Sequence, residues 1–298
     1  MTDVSPSGDQ LMWVLQLVGG DAIAEVSGLR AGGSPWLVHW TTEGGDHGRV
    51  VLRVGGPDDA EPQARAETAM PIADRQGVPV PNVIGSRLDD ESSLLLIEWI
   101  DGSSAQPAEA RPERLEALGA VAATIFRANL GGVELPKVSR PIEPVDFAAL
   151  REKSPYPLLE RAAQKLGTIE QDERTGLVHG DLWSGNVLWH GDELVAVLDW
   201  DCAGVGPAGV DLGSLRLDAA MSFGPEASDH VLAGWEREAA GPAQSVAYWD
   251  ALAALNTPPD LGWFVDTTVE ALRRSDLTRD VMLKRRDAFL TDALERLG

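Results

Sequence analysis

Cysteine is almost missing from this 298-residue chain: Cys202 stands alone, which excludes an internal disulfide framework and any cysteine-built zinc cluster. Histidine is scarce too, with five in all and none in His-x-x-x-His spacing, so a helical zinc hydrolase pattern is lacking. Nowhere do eighteen uncharged apolar residues follow one another, and no basic stretch precedes an apolar run at Met1-Thr-Asp-Val-Ser-Pro. A soluble cytoplasmic protein without membrane span or signal peptide is expected. Bases are outnumbered, 25 against 47 acids, for a formal charge of −22. Nucleic acid and anionic membrane are repelled by such a field, whereas a cationic small molecule is attracted, although acidity also serves solubility alone. There is no Walker A pattern, no complete Gly-x-Gly-x-x-Gly, no internal repeat and no low-complexity segment.

What is present is concentrated between Leu177 and Asp211. His179-Gly-Asp-Leu-Trp-Ser-Gly-Asn186 is followed by Val195-Ala-Val-Leu-Asp-Trp-Asp201. Val187 to Trp189 and Leu194 to Leu198 read as two short strands turning at Gly191-Asp192, so Asn186 and Asp199 emerge at the same end of a hairpin. An amide and a carboxylate placed in this way suit Mg²⁺, which prefers oxygen ligands and is usually held by one or two protein groups plus substrate phosphates. Asp181 is then the spare carboxylate, placed to take a proton from a hydroxyl that attacks a phosphate. A metal-dependent hydrolase would need His179 as a ligand; a loop-holding role through hydrogen bonds fits that residue better.

His-Gly-Asp-x-x-x-x-Asn, then Leu-Asp-Trp and a further Asp, resembles the aminoglycoside phosphotransferase family, relatives of choline, homoserine and fructosamine kinases. The protein-kinase counterpart is His-Arg-Asp-x-x-x-x-Asn plus Asp-Phe-Gly. Gly180 stands here for the Arg, and Trp200-Asp201 for Phe-Gly.

The resemblance implies an α+β, two-lobed, protein-kinase-like fold: a small antiparallel-sheet N-lobe with one main helix, and a larger, mostly helical C-lobe. Residues 1–98 would form the nucleotide-binding lobe, 99–103 the hinge, and 104–298 the catalytic and acceptor-binding lobe. It also implies ATP as phosphoryl donor, with GTP not distinguished, and Mg²⁺. The acceptor would be a hydroxyl of a small molecule, such as an aminoglycoside or another amine-bearing antibiotic or sugar. A kinase of an ordinary metabolite and a catalytically silent nucleotide-binding protein are the alternatives. A monomer and a homodimer are both compatible with the sequence.

Taken in order, Gln10 to Val18 reads as a helix stopped by Gly19-Gly20. Strands are expected at Ala22–Val26, Trp36–Thr42 and Val50–Val54, separated by glycine-rich loops. In the family the first loop covers the nucleotide phosphates, and Gly32-Gly-Ser-Pro35 resembles its Gly-x-Ser-Pro, which makes Gly33 and Ser34 nucleotide-binding candidates. Arg53 occupies the position of the usual phosphate-binding lysine on the third strand, a different cation because its planar fork pairs in two places.

Glu61 to Gln76 reads as a helix that Pro71 would kink or end. The resemblance implies an acid there pairing Arg53: Glu67, by its distance from Gly77-Val-Pro-Val-Pro81, with Glu61 as competitor. Strands near Asn82–Ile84 and Ser93–Trp99 lead to Glu98-Trp-Ile-Asp-Gly102, which resembles the family's inter-lobe linker; the resemblance implies that backbone groups around Glu98 and Ile100 bind adenine. From Pro112 apolar residues recur every three and four positions as far as Phe126. Short helices follow after Asp146 and Pro157, then four more over Glu226–Ala240, Ala243–Asn256, Leu261–Arg274 and Thr278–Leu297.

His179 and Asp211 are assigned a supporting role, Asp211 as the acid that braces the catalytic loop in kinase-like folds. Trp183, Asp218 and Trp263 are acceptor-binding candidates. Trp235, Trp249, Asp250, Asp260, Asp266 and Glu270 share that helical tail and its aromatic-plus-acid character. A tryptophan on an amphipathic helix is more often core, and an acid more often solvated.

Overall fold

The computed structural model describes residues 5–30, 33–88, 92–169 and 174–298. Ala31 and Gly32 of the glycine-rich stretch, and the first four residues, lie outside the described residues.

The chain begins with helix α1 (Gly8–Val18), started by a reciprocal cap between Ser7 and Gln10 and ended by Gly19 in the left-handed conformation. Strands β1 (Ala22–Arg30), β2 (Gly33–Thr41) and β3 (His47–Gly55) precede helix α2 (Ala60–Asp74); β4 (Val83–Leu88) and β5 (Ser93–Glu98) follow it. All five strands form one antiparallel sheet in the order β1-β2-β3-β5-β4.

Alternation along the strands sorts the side chains to two faces. Trp36, Val38, Val50, Leu52, Leu94 and Leu96 pack beneath Val14 of α1. The opposite face, with Leu95 and Ile97, meets Ala66, Ala69, Met70 and Ala73 of α2. Arg53 pairs in register with Leu95, so its side chain belongs to this second face, turned towards the rest of the molecule.

The first hairpin differs from expectation. β1 and β2 run through most of the stretch read as a loop, with Gly28 opposite Trp36 and Arg30 opposite Gly33. A register shift between Gly28 and Arg30 lets an interrupted pairing continue where a plain glycine loop was expected. Helix α2 likewise runs three residues past Pro71, whose ring faces solvent.

The second part is mostly helical. It contains α3 (Pro112–Phe126), α4 (Phe147–Lys153), α5 (Pro157–Leu166), β6 (Thr175–Val178), β7 (Val187–His190), β8 (Glu193–Val197) and β9 (Gly204–Pro207). Helices α6 (Gly209–Phe223), α7 (Ala227–Ala239), α8 (Val246–Leu255), α9 (Gly262–Leu272) and α10 (Arg279–Arg296) complete it. Residues 204–207 pair as β9 with β6.

Helix α6 is buried along nearly its whole length and carries the catalytic segment on one side. α3 and α7 cross closely at two glycines: a Cβ on Gly119 would lie 1.9 Å from the Val231 carbonyl, and one on Gly234 1.9 Å from that of Glu116. Among the described residues no helix is long and apolar enough to cross a membrane.

Candidate active site

The loop between β6 and β7 holds His179 to Asn186. Its backbone is fixed from α6. The Asp211 carboxylate accepts from the amides of His179 at 2.7 Å and Gly180 at 2.9 Å, and the Asp218 carboxylate accepts from the amide of Ser184 at 3.0 Å. Each buried amide thereby gains the partner that its removal from water demands.

His179 is fully buried against the Trp200 ring, with centroids 4.7 Å apart. Its Nδ1 accepts from the Asp181 amide at 3.3 Å, so Nε2 carries the hydrogen and donates to the Leu198 carbonyl at 2.8 Å. Burial lowers its pKa, and the neutral ring works as a strut between the two site loops. Gly180 has φ +80°, and a Cβ there would lie 2.2 Å from the Cys202 carbonyl, which explains why an arginine cannot stand at this position here.

The β7–β8 hairpin does what its sequence implies: Val187 pairs with Val197, and the Leu198 amide donates to the Asn186 carbonyl at 2.8 Å. Asn186 and Asp199 therefore leave the hairpin at one end. Asn186 Nδ2 donates to the Asp181 carbonyl at 2.9 Å and to its carboxylate at 3.3 Å, which leaves Oδ1 as the acceptor of that amide. Asp199 adopts φ 65°, ψ 57°, a left-handed conformation that Asp tolerates better than most residues and that is found where the surroundings impose it.

Electrostatics separate the acids. Burial, then repulsion from Asp199 and Asp211, pushes the Asp181 carboxyl up to about 8, against the pull of Asn186 and Arg30. For Asp199 burial acts in the same sense, yet Arg53 and Arg30 outweigh it and hold the carboxyl low. Asp181 is thus the group that keeps a proton, and Asp199 the one that stays charged.

Arg53 crosses from β3 to this centre. Its Nη1 donates to Asp201 at 2.7 Å, its Nη2 donates to the second Asp201 oxygen, and Nη1 lies 3.7 Å from Asp199. The expected pairing with Glu67 is not formed. Glu67 sits on the exposed side of α2 and accepts from the Ser86 hydroxyl at 2.7 Å, while Glu61 pairs with Arg65 one helical turn away. Arg53 stays charged: burial alone would lower its pKa, but the hydrogen bonds and charge of Asp201 raise it.

Gly33 is buried with φ +109°, and the Ser34 hydroxyl accepts from the Val54 amide at 3.0 Å, tying the first hairpin to β3. The Glu98 amide donates to the Asn82 carbonyl at 2.9 Å and is not free for adenine; its carboxylate takes the Asn82 side chain at 2.7 Å. Ile100 lies just past β5, half-buried. Beside it the sheet opens into a cavity of about 760 Å³ lined by His39, His47, Arg49, Trp99 and Asp101 among others.

The acceptor candidates separate. Trp183 is half-buried, its ring over Gly185, packed against the core that includes Leu159, Leu217 and Leu255. Trp263 is 48% exposed on α9, in edge contact with Phe264. Asp218 is buried and engaged with Ser184, so it braces the loop instead of facing an acceptor. Trp235 and Trp249 are core residues. Asp250 is buried between Arg216 at 2.8 Å and Arg296 at 2.7 Å, Asp260 pairs with Arg279, and Asp266 and Glu270 are exposed.

Two charged groups at this centre escaped the sequence reading. Arg30, at the end of β1, donates through Nη2 to Asp199 at 3.2 Å; the only local signal for it is an arginine inside a glycine-rich stretch. Asp201 as the Arg53 partner has no local signal, because the two lie 148 residues apart.

The donor set fits a hard cation. Asn186 Oδ1 and the Asp199 carboxylate are oxygens, and Asp199 already attracts two guanidiniums, so its site favours positive charge. Among the described residues no cluster of three or more His, Cys, Asp or Glu side chains is arranged to enclose a metal alone. A Mg²⁺ would therefore share its ligands with an anion, supplying charge compensation for a phosphate.

The family model described as APH, phosphotransferase enzyme family, matches residues 25–255. No curated protein matches. Among solved structures, an amicoumacin kinase in complex with AMP-PNP, Ca²⁺ and its ligand has a TM-score of 0.62 at 17% identity, over 95% of this chain and 93% of that one. A macrolide 2'-phosphotransferase from Brachybacterium faecium gives 0.59 at 18% identity, over 93% and 97%. A thermostable mutant aminoglycoside phosphotransferase in ternary complex with AMP-PNP and hygromycin B gives 0.60 at 16% identity, over 96% and 98%. With the family model spanning most of the chain around the loop at His179, this protein belongs to the APH phosphotransferase enzyme family.

Proposed function

We propose that this protein transfers the γ-phosphate of ATP to a hydroxyl of a small molecule. The observation that carries the reading is the convergence of Asp181, Asn186 and Asp199 opposite Arg53. Asn186 and Asp199 would hold Mg²⁺. Arg53, fixed by Asp201, would neutralise phosphate charge, with Gly33, Ser34 and the backbone near Ile100 lining the nucleotide site. Asp181 would accept the proton of the attacking hydroxyl, a task made easier once the charge of Asp199 is compensated.

Residues 1–98 would serve as the nucleotide lobe, 99–103 as the hinge and 104–298 as the acceptor lobe, in a cytoplasmic enzyme. The acceptor class is an antibiotic or sugar, preferably cationic, consistent with the surplus of acids and with Trp183, Trp263, Asp266 and Glu270. The test is incubation of the purified chain with Mg-ATP and panels of aminoglycosides, macrolides and hydroxylated amines, read as ADP release and as a one-phosphoryl mass gain on the acceptor. Full turnover by Asp181→Ala would refute the assignment of the base.

A further inference from the structure

We propose that Arg30 is a second phosphate-binding arginine, held on Asp199 in the free protein and transferred to the nucleotide phosphates when they arrive. The inference rests on the phosphotransferase reading above and adds to it a residue from the first hairpin.

Asp199 faces two guanidiniums: Arg30 Nη2 at 3.2 Å and Arg53 Nη1 at 3.7 Å. They are not equivalent. Arg53 is bound through both nitrogens to Asp201 and has only 22% of its side chain exposed. Among the described residues Arg30 makes one side-chain hydrogen bond, to Asp199, and its side chain is 63% exposed. A divalent cation on Asp199 repels both guanidiniums, and Arg30, with a single partner and no enclosing wall, is the one released.

The backbone of Arg30 does not leave with it. Arg30 pairs in the sheet with Gly33, next to Ser34, whose hydroxyl is tied to Val54 of β3. Its side chain is therefore tethered within reach of the Asp199 carboxylate. Ligands of one small cation touch at its surface, so a guanidinium that reaches Asp199 also reaches an anion sharing that cation. Phosphate offers the guanidinium fork the same paired oxygens as a carboxylate and carries more charge. The exchange breaks one ion pair and forms a stronger one.

Two rival accounts make different predictions. An exposed ion pair of no consequence leaves nucleotide binding unchanged when it is removed. A latch that merely competes for Asp199 makes binding tighter when it is removed.

The experiment is calorimetric titration of the full chain with AMP-PNP, with and without Mg²⁺, comparing wild type, Arg30→Ala, Arg30→Lys and the surface control Arg127→Ala. Arg127 pairs with Glu238 across α3 and α7 and matches the charge change. Arg30→Ala is expected to weaken binding about tenfold or more with Mg²⁺ present, and less without it, where Arg30 keeps its hold on Asp199. Arg30→Lys should recover part of this loss, Arg127→Ala should match wild type, and thermal melts of all four should coincide. Binding by Arg30→Ala equal to or tighter than wild type overturns the inference alone. A wild type that binds no AMP-PNP overturns the phosphotransferase reading and this inference with it.

Discussion

Asp211 and Asp218 stand two helical turns apart on α6 and grip opposite ends of the same loop. Asp211 accepts from the amides of His179 and Gly180, and Asp218 from that of Ser184. Asp181 lies between these points, so its position relative to Asn186 is set by a rigid helix beneath it.

Removing either acid leaves buried amides without a partner. Asp218→Ala is expected to lower stability by about 1–3 kcal/mol, while Asp218→Asn, which keeps an acceptor oxygen, should lose less. Denaturant unfolding of the two variants checks the order.

Asp181→Asn preserves shape and removes the proton acceptor. Turnover is expected to fall about 10²- to 10⁴-fold with nucleotide binding retained, as measured by steady-state kinetics beside calorimetry. Equal loss of binding would assign Asp181 to folding of the site and not to chemistry.

The same substitution has a pH signature in the free protein. The folded Asp181 carboxyl is raised from 3.8 to about 8, so between those values the folded state holds a proton that the unfolded state has released. Stability contributed by that proton is present at low pH and lost as pH rises towards 8. The melting temperature of Asp181→Asn relative to wild type should therefore increase from pH 5 to pH 9, and a flat difference would contradict the raised value.

Asp201 and Glu67 compete for the role of Arg53 partner, and geometry favours Asp201. Asp201→Asn is expected to raise the KM for ATP about tenfold, equivalent to ~1.4 kcal/mol, with Glu67→Gln within about twofold of wild type. The reverse ranking in steady-state assays would restore the helix glutamate.

Gly119→Ala tests the helix crossing. The new methyl would meet the Val231 carbonyl and, at 2.7 Å, the Trp235 amide nitrogen, so α3 and α7 must separate. A loss of roughly 1–3 kcal/mol is expected in thermal or denaturant unfolding, with little change in KM if the site is left in place.

Much of the fold was legible because local rules govern it. The hairpin turn at Gly191-Asp192, the glycine stop after α1 and the three-four spacing of Leu115, Leu118, Ala122 and Ile125 each fix an element from neighbouring residues. Where reading failed, another part of the chain intervened. Gly28 and Gly33 resembled a free loop until pairing of β1 with β2 enlisted both. Asp218 was an acceptor-binding candidate, but packing of α6 under the catalytic loop turned it to Ser184.

The sequence by itself determined the chemistry at the centre: Asp181 and Asn186 five residues apart, and Asp199 at the same end of a short hairpin, where chain length allows little choice. Only the tertiary structure decided which charges meet. Arg53 reaches Asp201 and Arg30 reaches Asp199 across 148 and 169 residues, while Glu67 is turned to solvent on the far side of its helix. Such pairings depend on how a sheet and a helical body are set against each other, and no local pattern encodes that.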